Sequence, residues 1–226
     1  MNTVHKAKMI SYSKDNITGD ITGLVAYFAR VSNPENQINM ANSEKLIQYL
    51  INNNHWSPFE MVHMCIEVET TRDIARQLLR HRSFSFQEFS QRYAKATTLG
   101  LVTREARLQD TKNRQNSIDT DNNKLQNDWQ SKQQDVIGKS LDAYNWAIDN
   151  GIAKEVARSV LPEGMTISRL YIAGNLRSFI HYLQLRTDLS TQKEHRILAC
   201  AIKNEVAKVF PMINTLCKHE VIDEWR

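Results

Sequence analysis

A chain of 226 residues can bury a core of its own as one large domain, and 41% apolar with 24% charged residues is ordinary globular composition. No apolar run approaches the ~18 residues of a membrane span, residues 1–14 lack the apolar centre of a signal peptide, and three scattered cysteines, Cys65, Cys200 and Cys217, suit free thiols rather than a disulfide framework. A net charge of +4 without a long basic run speaks against a nucleic-acid scaffold, so the expectation is a cytoplasmic protein whose short basic clusters suit a small phosphate ligand.

Taken in chain order, Leu24, Val25, Phe28 and Val31 predict a short helix that stops near Asn33-Pro34. Ser43 is the expected N-cap of a helix with Leu46, Ile47, Leu50 and Ile51 on one face, which Pro58 cannot continue. Over 61–69 the period drops to two: Val62, Met64, Ile66 and Val68 on one side, His63, Cys65, Glu67 and Glu69 on the other, which is a half-buried strand. From Thr71 a helix resumes, with Ile74, Ala75, Leu78 and Leu79 grouped and Arg72, Arg76 and Arg80 recurring every four residues beside them. Residues 97–104 read as a strand. Residues 109–128 hold little to bury and read as a surface excursion or mobile loop.

A helix with Val136, Ile137, Leu141, Tyr144 and Ile148 then stops at Asn150-Gly151, and another with Val156, Val160 and Leu161 stops at Pro162. A strand is expected over 166–173, then helices over 175–186 and 191–210, the last opened by a Thr191-x-x-Glu194 capping box. The sum is α+β: an antiparallel sheet flanked by helices in a single domain, 1–226.

The residues that point to chemistry start at Arg80-His81-Arg82. Three consecutive basic side chains either end a helix, where they meet the negative pole of its dipole, or serve a ligand. The following Ser83-Phe84-Ser85-Phe86-Gln87-Glu88-Phe89-Ser90-Gln91-Arg92-Tyr93 interleaves hydroxyls, charges and aromatics. Ser90 and Arg92, two residues apart, can both address one oxyanion, the guanidinium as a planar donor fork; an amphipathic core segment is the plain alternative. His5, His63, His195 and His219 have no ligand-like spacing, so no metal is expected. There is no GxGxxG or Walker loop, and no cysteine has the electropositive setting of a nucleophile.

Arg80-His81-Arg82, seven residues, then Ser90 resembles the signature of flavin-dependent thymidylate synthases. Further likenesses follow in the family's order from about residue 30 to 195: Arg30-Val31-Ser32; His55-x-Ser57-Pro58-Phe59-Glu60; Arg158 with Leu161-Pro162; Asn175-x-Arg177, His181 and Leu185-Arg186. The resemblance implies a homotetramer with active sites between subunits, converting dUMP to dTMP with FAD, NADPH and methylenetetrahydrofolate. By matching position, Ser32, Ser57, Glu60, His81, Arg82, Ser83, Asn175, Arg177 and His181 would contact FAD. Gln77, Arg80, Glu88, Ser90, Arg92, Arg158 and Arg186 would hold the nucleotide, and His55 and Tyr93 would lie where folate or nicotinamide approaches. Arg186, a fixed cation facing the pyrimidine, would favour the ring ionised at N3 and is the expected catalytic residue.

The chain departs from the family's pattern at Met61 and Ser190, where histidines are usual. A flavin- and folate-dependent pyrimidine nucleotide hydroxymethylase therefore stays open as an alternative. From another class, a non-catalytic nucleotide- or RNA-binding module would use Arg72, Arg76, Arg80, Arg82 and Arg92.

Overall fold

The structure, a computed structural model, describes residues 4–217; expectations touching residues 1–3 and His219 lie outside them. Strand β1 (Lys6–Tyr12) comes first, which the sequence reading did not contain. Helices α1 (Ile21–Ala29), α2 (Ser43–Asn52) and α3 (Ser57–Glu60) lead to β2 (His63–Thr71), which runs into α4 (Arg72–Leu78). Strand β3 (Ser85–Glu88), a hairpin of β4 (Arg107–Gln109) and β5 (Ser117–Asp119), the long α5 (Asn123–Asp149) and the short α6 (Lys154–Ala157) follow. Strand β6 (Ile167–Asn175) passes directly into α7 (Leu176–Arg186), then come α8 (Lys193–Ala207) and α9 (Ile213–Leu216).

The main sheet is antiparallel throughout, in the order β1-β2-β6-β3, and helices pack on it, so the expected α+β class holds. The alternation in β2 does what its period dictates: Val62, Met64, Ile66 and Val68 are all buried, with Ile66 opposite Ile172 and Val68 opposite Leu170 on β6. Onto this face α4 sets Ile74, Ala75 and Leu78, α7 sets Leu176, Phe179, Ile180 and Leu183, and α8 sets Leu198, Ala199, Ile202 and Val206. A smaller core of Ala96, Tyr144, Ala147, Ala157 and Leu161 lies under α5 and α6, where the buried Tyr144 hydroxyl accepts from the Ala96 amide at 3.0 Å.

Several local expectations fail for identifiable reasons. Ser43 is the first residue of α2, not its cap. Asn42 takes a left-handed turn (φ 59°) ahead of it, and the Ser43 hydroxyl donates back to the Met40 carbonyl. Residues 97–104 do not form a strand: Ala96–Leu99 wind into a 3₁₀ turn, Gly100 sits at φ 88°, and sheet pairing shrinks to one bridge, Leu101 to Thr166. Residues 109–128 are a hairpin and the first turn and more of α5. Val136, Val156 and Val160 are exposed rather than core. The capping box is not made: Gln192 is the cap position, the Thr191 hydroxyl donates to the Leu185 carbonyl, and Glu194 bonds Arg107 instead.

The early start of α5 explains itself in polar terms. Gln133 donates to the Arg104 carbonyl and accepts from its amide, at 2.7 and 2.8 Å, and Gln126 does the same for Ala106, at 2.9 and 2.8 Å. Two glutamines, two helical turns apart, thus hold an extended segment with amide clamps where a greasy stripe would be expected.

One close approach fixes where the basic segment lies. Phe84 packs on Gly174 of β6 so tightly that a Cβ there would sit 2.5 Å from the Phe84 ring. Gly174→Ala is expected to lower stability by ~1–3 kcal/mol through overpacking, seen as an earlier urea midpoint. An unchanged midpoint would contradict this packing.

Candidate functional site

Helix α4 ends at Leu78, so Arg80, His81 and Arg82 occupy the turn after it; the Leu78 carbonyl accepts from the His81 amide, and the His81 carbonyl from Phe84. The chain is therefore still close to the sheet when it presents His81, and α7 brings its last residue, Arg186, to the same place. Arg186 Nε donates to His81 Nε2 at 3.0 Å. A guanidinium only donates, so the facing imidazole nitrogen must carry a lone pair. Burial, then the Arg186 charge, lower the His81 pKa to about 4, which keeps the ring neutral and able to accept. The His81 ring stands edge-on to Tyr182, centroids 4.9 Å apart, and the Tyr182 hydroxyl lies 3.2 Å from His195 Nε2. Among the described residues no partner holds the two terminal nitrogens of Arg186.

A second group gathers where α3 meets the N-terminal half of α7. Glu60 pairs with Arg177, and His181 packs its ring on Trp56 with centroids 4.5 Å apart. Burial, then Arg177, lower the His181 pKa. Asn175 caps α7, its side-chain oxygen accepting from the Ser178 amide at 2.9 Å and from the Ser178 hydroxyl at 2.8 Å; the same hydroxyl lies 3.3 Å from the Ser83 carbonyl, which places the segment after His81 against this helix. Ser57 opens α3, and Ser32 and Arg82 are exposed. Nη1 of Arg30, two residues before Ser32, is buried with no hydrogen-bond partner among the described residues.

A third group lies along the 88–92 segment. Glu88 accepts from Ser168 at 2.8 Å and pairs with Arg76 at 3.3 Å, while Arg92 pairs with Glu155 of α6 at 3.1 Å. The Ser90 hydroxyl oxygen accepts from the Arg92 amide at 3.4 Å, Arg158 follows α6 in a 3₁₀ turn, and Arg80 is exposed. Tyr93 is 83% exposed, and His55 is exposed beside Tyr49. No hydrogen bond or ion pair among the described residues links Ser90, Arg92 or Arg158 to Arg186. Gln77 has both ends of its amide in use, on His195 at 3.1 Å and Gln192 at 2.7 Å.

This chain matches the family model of the thymidylate synthase complementing proteins over residues 10–212. It is 48% identical over 209 residues to a probable flavin-dependent thymidylate synthase of Paramecium bursaria Chlorella virus 1, covering 92% of this chain and 96% of that one. With the flavin-dependent thymidylate synthase of Synechocystis it shares 52% over 191 residues, 84% of this chain and 86% of the other. The chain belongs to the flavin-dependent thymidylate synthase family. Among solved structures it resembles a UMP/dUMP methylase, PolB of Streptomyces cacaoi, bound with 5-Br dUMP, with a TM-score of 0.79, 27% identity and 93% of each chain covered.

Within this flavin-dependent thymidylate synthase fold, the sequence assigns Glu194 to a capping box, sets His195 aside as a metal ligand and does not single out Gln192, yet His195 and Gln192 both bond Gln77, and Glu194 bonds Gln192. The available signal was His195 itself, a polar residue on the apolar stripe of α8 that carries Leu198, Ala199 and Ile202. Burial raises the pKa of the Cys65 thiol, and that of Cys217 to about 11.

Three histidines are held uncharged by the fold. Burial first, then the Arg186 cation, lower His195 to about 3; burial lowers His5 to about 4, as it does His81. Each accepts a proton near 6.5 once unfolded, so the unfolded chain binds more protons at mildly acidic pH. Stability is expected to be level above pH ~6.5 and to fall steadily as pH drops toward ~4. Urea melts across pH 4–8 at constant ionic strength measure this; a midpoint that holds or rises between pH 6.5 and 4.5 would contradict it.

Proposed function

We propose that this enzyme reductively methylates dUMP to dTMP, with methylenetetrahydrofolate as carbon donor and NADPH reducing bound FAD. The observation that carries the reading is the Arg186–His81 pair, which leaves a permanently charged guanidinium with its two outer nitrogens available beside the segment bearing the Arg80-His81-Arg82 and Ser90 signature. The 48% and 52% identity to proteins named for this activity, over most of each chain, supports it.

The residues present suit FAD. Arg82 and Arg177 match the two charges of a diphosphate, and Ser32, Ser57 and Ser83 offer hydroxyl donors. Asn175, through its amide nitrogen, and His181, through an exposed ring edge, can meet the rest of the flavin with Glu60 and His81. The buried, unpartnered Nη1 of Arg30 next to Ser32 is a donor with a missing acceptor. When bound, FAD supplies the reducing hydride.

The chain's own part is binding and polarisation. Ser90, Arg92 and Arg158, with Arg80, hold the nucleotide phosphate by charge-assisted hydrogen bonds, while Gln77 and Glu88 border the pyrimidine and sugar. Arg186 stabilises the uracil ionised at N3, which raises electron density at carbon 5, the atom that takes the one-carbon unit. His55 and Tyr93 border the approach of folate or nicotinamide.

Assembly follows the same logic. The Arg92–Glu155 group and the Arg186–His81 pair are not joined within one chain, and Tyr93, Leu185 and Leu189 are 83%, 55% and 63% exposed around them. A homotetramer in which neighbouring copies complete each site accounts for both features. Coexpressed Arg158→Ala and Arg186→Ala chains should then form mixed oligomers with more activity than either variant alone. Mixed oligomers no more active than the parents would remove the shared site.

The reading is tested by adding FAD, removing the excess and recording the absorbance spectrum before and after dUMP. A retained flavin band that shifts with dUMP is expected, and Arg186→Ala should keep the band while kcat falls by ~10²–10³. A protein that retains no flavin would sink the reading.

A further inference from the structure

Behind the Arg186–His81 pair runs a buried hydrogen-bond chain that the functional reading does not use. The Tyr182 hydroxyl meets His195 Nε2 at 3.2 Å, and His195 Nδ1 meets Gln77 Oε1 at 3.1 Å. Gln77 Nε2 donates to Gln192 Oε1 at 2.7 Å, and Gln192 Nε2 donates to Glu194 Oε2 at 2.9 Å. The other Glu194 oxygen accepts from Arg107 at 2.6 Å. Tyr182, His195 and Glu194 are all buried. Groups this deep are costly unless every donor finds an acceptor, so the chain has only a few tolerable states.

Its direction is set from one end. An ionised carboxylate can only accept, so Gln192 must turn its nitrogen toward Glu194 and its oxygen toward Gln77. Gln77 must then turn its nitrogen toward Gln192 and its oxygen toward His195, and His195 must carry its proton on Nδ1. That leaves a lone pair on Nε2 and obliges the Tyr182 hydroxyl to donate to it. Were the direction reversed, the hydroxyl proton would be left among apolar groups at a cost of ~1–3 kcal/mol. The anchor itself is fixed: Arg107 follows the segment that the Gln126 and Gln133 clamps hold, and Arg107 also pairs with Glu105 at 3.0 Å. The charged and titratable groups facing this chain are Arg186 and His81 at one end, Cys200 beside Tyr182, His5 beside His195, and Arg104 and Arg107 beside Glu194.

We propose that Glu194 is a positioning residue for Arg186: through Gln192, Gln77 and His195 it sets the direction of the buried hydrogen bonds. It thereby holds Tyr182, and the His81 ring packed against it, in the arrangement that aims the outer nitrogens of Arg186 at the pyrimidine. This rests on the reading in which Arg186 faces the substrate. Burial and the Arg186 cation keep His195 neutral, and the carboxylate decides only which of its nitrogens carries the proton. Without it, His195 is free to carry its proton on either nitrogen, and Tyr182 loses a defined acceptor.

The test uses the full chain and has two arms. In the first, NMR of protein labelled with nitrogen-15 histidine, without substrate, reads which His195 nitrogen is protonated, the signal being assigned by its loss in His195→Asn. The wild type should show Nδ1–H alone, and Glu194→Gln a mixture of both forms. In the second, Glu194→Gln and Gln192→Leu are each combined with Arg186→Ala; Gln192→Leu leaves the Glu194–Arg107 pair intact and guards against simple misfolding. Each single change should lower kcat by about tenfold with little change in the KM for dUMP, and should have no further effect on the residual rate of Arg186→Ala. Equal fold losses in both backgrounds, a wild-type rate in Gln192→Leu, or wild-type His195 protonated on Nε2 would each overturn the proposal. A wild type that forms no thymidylate refutes the functional reading instead, and the NMR arm still decides the direction of the chain.

Discussion

A guanidinium can lean on an imidazole only while the imidazole stays neutral, and the centre of this protein is organised around that condition. His81 is buried enough, and close enough to Arg186, for its pKa to fall to about 4. The bond between them follows, and it turns a flexible arginine at a helix terminus into one with a set direction. Everything nearby serves the two chain segments that must meet for this. Helix α4 stops one turn short of His81, Phe84 packs against Gly174 to hold the segment to β6, and β6 passes straight into α7, whose last residue is Arg186.

The same economy of elements explains the antiparallel sheet. Strands β2 and β6 run side by side over nine paired positions, and each feeds a helix at its C-terminal end, β2 into α4 and β6 into α7. Because the strands are antiparallel, those helices start from opposite ends of the sheet. Helix α7 then has to cross the apolar face to bring Arg186 back beside the end of α4. The buried stripe of Leu176, Phe179, Ile180 and Leu183 is what such a crossing requires.

Where burial is carried by apolar side chains, the sequence was a good guide. The period of two in Val62, Met64, Ile66 and Val68, and the helical grouping of Ile74, Ala75 and Leu78, matched the structure because tertiary packing and local pattern agree there. The first half of α5 was illegible because its contacts are glutamine amides clamping Arg104 and Ala106, and no hydropathy pattern registers an amide clamp. In strand β1, Lys6 and Lys8 alternate with Ala7 and Met9, but the register shift between Met9 and Ser11 and the exposed Ile10 cut the alternation short. Among the candidate residues, local pattern could say that Arg80-His81-Arg82 was out of place in a core helix, but not that His81 would meet Arg186, 105 positions on. Glu194 was misread for a related reason: Thr191-x-x-Glu194 satisfies a local rule, yet a half-buried arginine from the distant strand β4 offers the carboxylate a stronger partner.

On the proposed reading, this set of residues methylates carbon 5 of a uracil nucleotide and completes the reduction. The most direct measurement is the mass of the nucleotide product after incubation with dUMP, methylenetetrahydrofolate, FAD and NADPH. The account predicts dTMP, with consumption of NADPH matching its formation. A hydroxymethylated nucleotide would contradict the reductive step, and unchanged dUMP beside a flavin-loaded protein would contradict the account as a whole.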